Sequence, residues 1–106
     1  MTKVRIEPGP CGFTTVVTAE QTEEETVRVR VASGCESVRK MMEAVGPELE
    51  PYEICLTRPG ENALFDYAKA HFPVHAGCPV LAGIIKCVEA ESGLALRHDA
   101  SITFVE

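Results

Sequence analysis

Residues 26–45 carry the feature that most limits the fold, a change of hydrophobic period within twenty residues. "TVRVRVAS" at 26–33 alternates, with Val27, Val29 and Val31 on one side and Arg28 and Arg30 on the other. That is the two-residue period of a strand with one buried and one wet face. After Gly34, the residues Val38, Met41, Met42 and Val45 recur at i, i+3, i+4 and i+7, the stripe of an amphipathic helix. Gly46 and Pro47 then stop the helix. A wet strand face indicates an antiparallel sheet covered on one side.

The rest of the chain extends this frame. "KVRIE" at 3–7 and "FTTVVTAE" at 13–20 read as strands, separated by the turn cluster "PGPCG". "QTEEET" reads as a solvated hairpin loop. The spacing of Leu64, Phe65, Ala68 and Phe72 predicts a second helix over 61–71. Leu81, Ile84, Ile85 and Val88 predict a third over 79–92, ended by Gly93. "ASITFVE" reads as a closing strand beside an earlier one, with Ile102 and Phe104 on one face. The segment 48–60 gives no clear period. The expected architecture is α+β, a two-layer sandwich of three or four antiparallel strands with helices on one face. At 106 residues, the chain suits a single domain, 1–106, with one modest core.

Charge excludes several functions. The net charge is −6 and no basic cluster is present, so nucleic acid is not an expected partner. No apolar run approaches a membrane span. "MTKVRIEPGP" has no apolar leader, so the expected location is cytoplasmic. There is no HExxH, GxSxG, Gly-rich phosphate loop or paired-carboxylate motif. Arg58, in the turn "TRPGEN", reads as part of a solvated loop.

Five cysteines in so short a chain is the chemical anomaly. In a reducing compartment, such cysteines bind metal, do redox chemistry or pack. Cys87 lies inside the third helix and reads as a small core residue, and Cys55 reads as structural too. Cys11, Cys35 and Cys78 differ, because each stands beside a glycine at a boundary between elements. Cys35 is expected at the cap of the first helix and Cys78 at the cap of the third, with Pro79 as first helical residue. A helix N-terminus stabilises a thiolate, the form that binds soft metals or attacks. Glu36 opposes this beside Cys35. His75, three residues before Cys78, is the natural fourth ligand of a zinc or iron–sulfur site. The spacing is not that of a zinc finger, so the fold would have to gather such a site. His71 and His98 receive no role.

The order and spacing of these motifs resemble the IscU/NifU N-terminal iron–sulfur scaffold family over about residues 9–92. Cys11-Gly12 is similar to that family's first cysteine loop, "VRVRVASGCES" to its strand leading into a Gly-Cys helix start, and "FPVHAGCPVLAGIIK" to its third-cysteine segment. The resemblance implies that Cys11, Cys35 and Cys78 hold zinc or a cluster, with a nearby fourth ligand. It also implies protein partners in iron–sulfur or sulfur metabolism. Phe13 stands where the family has Asp, and Gly77 where it has the His before the third cysteine. "GCPVLAGIIKCVE" also resembles TSCPD-type cysteine domains, and the whole chain resembles a group of short proteins from anaerobic microbes. The expected function is a small metal- or cluster-binding protein, not an independent enzyme. The alternatives are a persulfide carrier with a nucleophilic Cys35 or Cys78, and an interaction domain without a chemical site.

Overall fold

The computed structural model describes residues 1–106. Three strands, β1 (Thr2–Ile6), β2 (Thr15–Gln21) and β3 (Val27–Ser33), form an antiparallel meander. Helix α1 (Glu36–Val45) follows, then the two-residue β4 (Glu48–Leu49) and α2 (Pro51–Cys55). Helices α3 (Ala63–His71) and α4 (Val80–Glu91) complete the ordered elements. The sheet order is β1-β2-β3-β4, and the class is the expected α+β.

The alternation read from the sequence is what builds the layers. Val17 and Ala19 on β2 and Val27 and Val29 on β3 are buried, and Arg28 and Arg30 are exposed. Val17 stands opposite both Val4 and Val31, and Ala19 opposite Val29, so one continuous apolar face forms. Helix α4 covers it with Leu81, Ile84, Cys87 and Val88, all buried. Val38 and Met41 of α1 and Leu64 of α3 finish the same core. Each such side chain contributes roughly 1.5–3 kcal/mol when taken fully from water.

The element ends are set by local chemistry. Helix α4 stops in a Schellman arrangement: Gly93 has φ +73°, its N–H donates to Ala90 O, and Leu94 N–H donates to Glu89 O at 2.8 Å. Asn62 caps α3 by accepting from Phe65 N–H at 3.0 Å and donates to Ile54 O at 2.8 Å. The uncertain segment 48–60 resolves into β4 and α2. The carboxylate of Glu50 caps α2 by accepting from Glu53 N–H, and Pro51 occupies its first position.

Two expectations are corrected. Residues 101–106 form no strand; Ile102 and Phe104 face solvent. A strand exists only through its ladder, and nothing in the chain pairs with this segment. Helix α4 begins at Val80, so Pro79 rather than Cys78 is its cap: the Pro79 carbonyl takes the first helical bond, from Gly83 N–H at 3.0 Å.

Candidate thiol site at one end of the sheet

Three registered residues define one end of the sheet. Ile6 pairs with Thr15, and Thr15 pairs with Ser33. Cys11 lies in the β1–β2 connection, between Ile6 and Thr15 in the chain. Cys35 follows Ser33 by two residues and caps α1. Cys78 comes two residues before α4, whose first turns rest against Ile6. A Cβ added at Gly83 would stand 2.5 Å from Cγ1 of Ile6 and closer still to Cδ1. Glycine at 83 is therefore what lets α4 settle onto β1. All three glycine-flanked cysteines accordingly belong to segments that meet at this end.

A line of hydrogen bonds ties the first two segments together. Thr15 Oγ1 lies 3.0 Å from Phe13 O and 2.8 Å from Ser33 Oγ, and Ser33 Oγ accepts from Cys35 N–H at 3.1 Å. The ring of Phe13 lies over Gly34, where an added Cβ would meet Cδ1 at 2.8 Å. Phe13 is thus a half-exposed ring lying between the Cys11 loop and the Cys35 cap. The loop itself turns on Gly12, at φ +71°, whose N–H donates to Gly9 O at 2.9 Å. A side chain at Gly12 would be strained there.

The local electrostatics differ among the five thiols. Cys35 has extended backbone, φ −78° and ψ 117°, and its carbonyl accepts from Arg39 N–H at 3.1 Å. Its thiol makes no capping bond, so the first-turn N–H groups of α1 face no side-chain acceptor. Glu36, expected to oppose a thiolate there, is engaged by Lys40 at 3.0 Å. Its hydrogen bond to Lys40, with the charge attraction, holds the Glu36 carboxyl below its usual range. Cys11 is exposed, while Cys35 and Cys78 are half-buried against the core edge.

Cys55 and Cys87 have structural surroundings, as read from the sequence. Cys87 is fully buried, with its sulfur 3.4 Å from Thr2 O and 3.6 Å from Val17 O. Burial pushes its thiol up to about 11. Cys55 lies 3.8 Å from Ile85 O, and burial, with the nearby Glu89 and Glu50 charges, pushes it up to about 11 as well. A shallow open groove of about 260 Å³ beside Cys55 is lined by Ile54, Phe65 and Ile85 and rimmed by Arg58 and Lys86.

Cys11, Cys35 and Cys78 lie in segments at one end of the sheet, but their side chains are not grouped. No three His, Cys, Asp or Glu side chains are grouped in positions that could hold a metal ion. His75 is exposed in the segment between α3 and α4. His71 stacks on Tyr67 with ring centroids 4.4 Å apart, and His98 lies 3.2 Å from Asp99 O.

One group of polar contacts escaped the sequence reading. Glu91, at the end of α4, accepts from Thr2 Oγ1 at 2.7 Å and from Gln21 N–H at 3.1 Å. The N-terminal ammonium and Arg97 stand 3.5 and 3.6 Å from the same carboxylate. Desolvation raises its carboxyl, but these hydrogen bonds and the ammonium outweigh it and hold the carboxyl below its usual range. In sequence, Glu91 resembles any helix-surface glutamate; only the topology brings Thr2 and Gln21 to it.

No helix is long and apolar enough to cross a membrane. A family model matches residues 2–104, and the chain belongs to that family, described as a family of unknown function (DUF6951). No curated protein and no solved structure shows significant similarity to the chain.

Proposed function

We propose that this family member is a small binding protein whose Cys11, Cys35 and Cys78 take up a zinc ion or an iron–sulfur cluster. The observation that carries the reading is the division of the five cysteines. Two are fixed in the packing with raised thiol pKa values, and three glycine-flanked ones lie in segments at one end of the sheet without being grouped. The places of those three, in the β1–β2 loop, at the α1 cap and before α4, also fit the resemblance to iron–sulfur scaffolds. Thiolates suit both zinc and iron–sulfur chemistry, with His75 as the nearest imidazole in the Cys78 segment.

The three thiols are not grouped, so in this proposal binding draws the Cys11 loop and the segment before α4 inward. The Cys11 loop turns at two glycines, Gly9 and Gly12, both with positive φ. Cβ positions at Gly9 and Gly12 meet nothing within 4 Å, so its turns are unpacked. Metal binding and local ordering would then be one coupled process. Partners in iron–sulfur or sulfur metabolism belong to the same proposal.

The test is metal analysis of anaerobically purified protein. The expected result is near-stoichiometric zinc or iron, lost in Cys11→Ser, Cys35→Ser and Cys78→Ser and kept in Cys55→Ser. Folded wild-type protein that carries neither and takes up neither on reconstitution refutes the proposal. One observation favours a second reading, a persulfide carrier. Cys35 caps a ten-residue helix with its thiol making no capping bond and its acidic neighbour engaged by Lys40. That reading requires Cys35 to alkylate faster than the more exposed Cys11.

A further inference from the structure

Two unsatisfied features of this chain are complementary. The first is the segment after α4. Beyond Asp99, the chain makes no backbone hydrogen bond. Ile102, Phe104 and Val105 are 92%, 90% and 90% exposed. Yet "SITFVE" is rich in β-branched and aromatic residues and alternates as a strand does. It is a strand sequence without a ladder.

The second is the outer side of β1. The sheet order leaves β1 unpaired on one side over five residues, whereas the opposite edge strand, β4, has only two. Val4, at the centre of β1, is half-buried between the buried Thr2 and Ile6. An open edge of this length is a template for another strand.

Position relates the two features. Glu91 holds Thr2 and Arg97 together, so the tail leaves the body at the Thr2 end of β1. From there, residues 98–106 reach about 30 Å when extended, more than the roughly 17 Å of β1. Lys3 and Arg5 stand exposed on the other face of β1, away from Val4 and Ile6. In register with β1, Ile102 and Phe104 fall on the face of Val4 and Ile6 and extend the core outward.

The tail does not lie on its own edge. It stands clear of its own body, with its apolar residues almost fully exposed. Helix α4 runs opposite to β1, with Gly83 beside Ile6 and Glu91 beside Thr2. A tail folding back onto its own β1 would have to run parallel to it, the less stable pairing. An exchange between two copies has no such restriction and satisfies both edges at once. We propose that the protein is a dimer in which residues 101–106 of each copy pair as a strand against the free edge of β1 of the other.

Light scattering on the full chain across roughly 1–500 µM, a range spanning typical homodimer affinities, tests this. The expected mass is twice 11.5 kDa at the upper end. Ile102→Glu with Phe104→Glu touches nothing in the single copy, so its fold survives, and it weakens the dimer at least tenfold. Deletion of residues 100–106 does the same. Amide exchange at residues 2–6 and 101–106 slows as wild-type concentration rises. A wild type that stays monomeric, a dimer that survives the double glutamate variant, or protection of the tail in a monomer each overturns the proposal.

Discussion

Gly83→Ala is the sharpest probe of how α4 is seated. Alanine inside a helix is favoured over glycine by about 1 kcal/mol, so an isolated α4 would gain. In the folded chain, the new methyl falls 2.5 Å from Cγ1 of Ile6 and nearer to Cδ1. Ile6 is only 8% exposed and has little room to retreat. Overpacking of this kind costs about 1–3 kcal/mol. The net expectation is a loss of roughly 1–2 kcal/mol, or several degrees in Tm for a domain of this size. Ile6→Ala alone loses about 2–5 kcal/mol through the cavity it leaves. In that background, the new methyl keeps only an ordinary contact, with the Cβ of residue 6 at 3.7 Å, and Gly83→Ala becomes stabilising by about 1 kcal/mol. Urea melts of the four proteins therefore give a coupling of about 2–3 kcal/mol. Additive effects, with Gly83→Ala stabilising in both backgrounds, refute the reasoning. They would mean that α4 is not seated on β1 through this contact, and Cys78 would lose its anchor to the sheet end. Gly34→Ala is the control: it displaces the ring of Phe13, which is 46% exposed and free to swing, and costs less.

The remaining predictions concern the thiols and the polar contacts. Alkylation near pH 8, read by mass spectrometry, labels Cys11 first and Cys35 and Cys78 more slowly. Cys55 and Cys87, raised to about 11, react only after unfolding, and fast native labelling of either refutes their structural role. Because their folded pKa values exceed the unfolded value of 9.0, the folded state holds more protons between pH 9 and about 11. Stability is then full below pH 9 and falls as pH rises through that window; Cys87→Ala flattens part of the slope in urea melts. Glu91 has the opposite sign: its folded carboxyl is depressed, so its contribution is present above about 4.5 and is lost as pH falls through the folded value. Glu91→Gln should flatten the acid limb of the same measurement. Asn62→Ala removes a helix cap and the donor to Ile54 O and costs about 1–3 kcal/mol, whereas Asn62→Ser keeps a capping oxygen and loses the amide donor; equal losses for the two refute this division.

What could be read in the sequence was what repeats over many residues. The two-residue period of Val27, Val29 and Val31 and the helical stripe from Val38 to Val45 report burial directly, so β3 and α1 were legible. Helix α4 was legible for the same reason, apart from the one-residue shift at Pro79. Elements too short to show a period were not. β4 is two residues long, with Pro47 O taking the Val29 N–H, and α2 has only five residues and a glutamate cap. Glu91 was illegible because its meaning lies in Thr2 and Gln21, which are far away in the chain.

The cysteines and the tail show the same limit in two forms. A glycine beside a cysteine marks an element end, and that property is local. The structure accordingly places Cys11, Cys35 and Cys78 in segments meeting at one end of the sheet. The distance between thiols is set by loop conformation, which no period reports, and here the loops leave the sulfurs ungathered. Likewise, "SITFVE" reports that it can be a strand, but its partner is not written in it. Under the two proposals, each feature is half of an interaction: an ion or cluster would complete the one and a strand edge the other. The two are physically separable. The cysteine end lies at Ile6, Thr15 and Ser33, and the tail leaves beside Thr2, at the other end of β1. Loss of the tail should therefore leave metal content per chain unchanged, and serine at Cys11, Cys35 and Cys78 should leave the oligomeric state unchanged. A dimer that disappears with the cysteines would instead place the ligand between copies and join the two halves into one site.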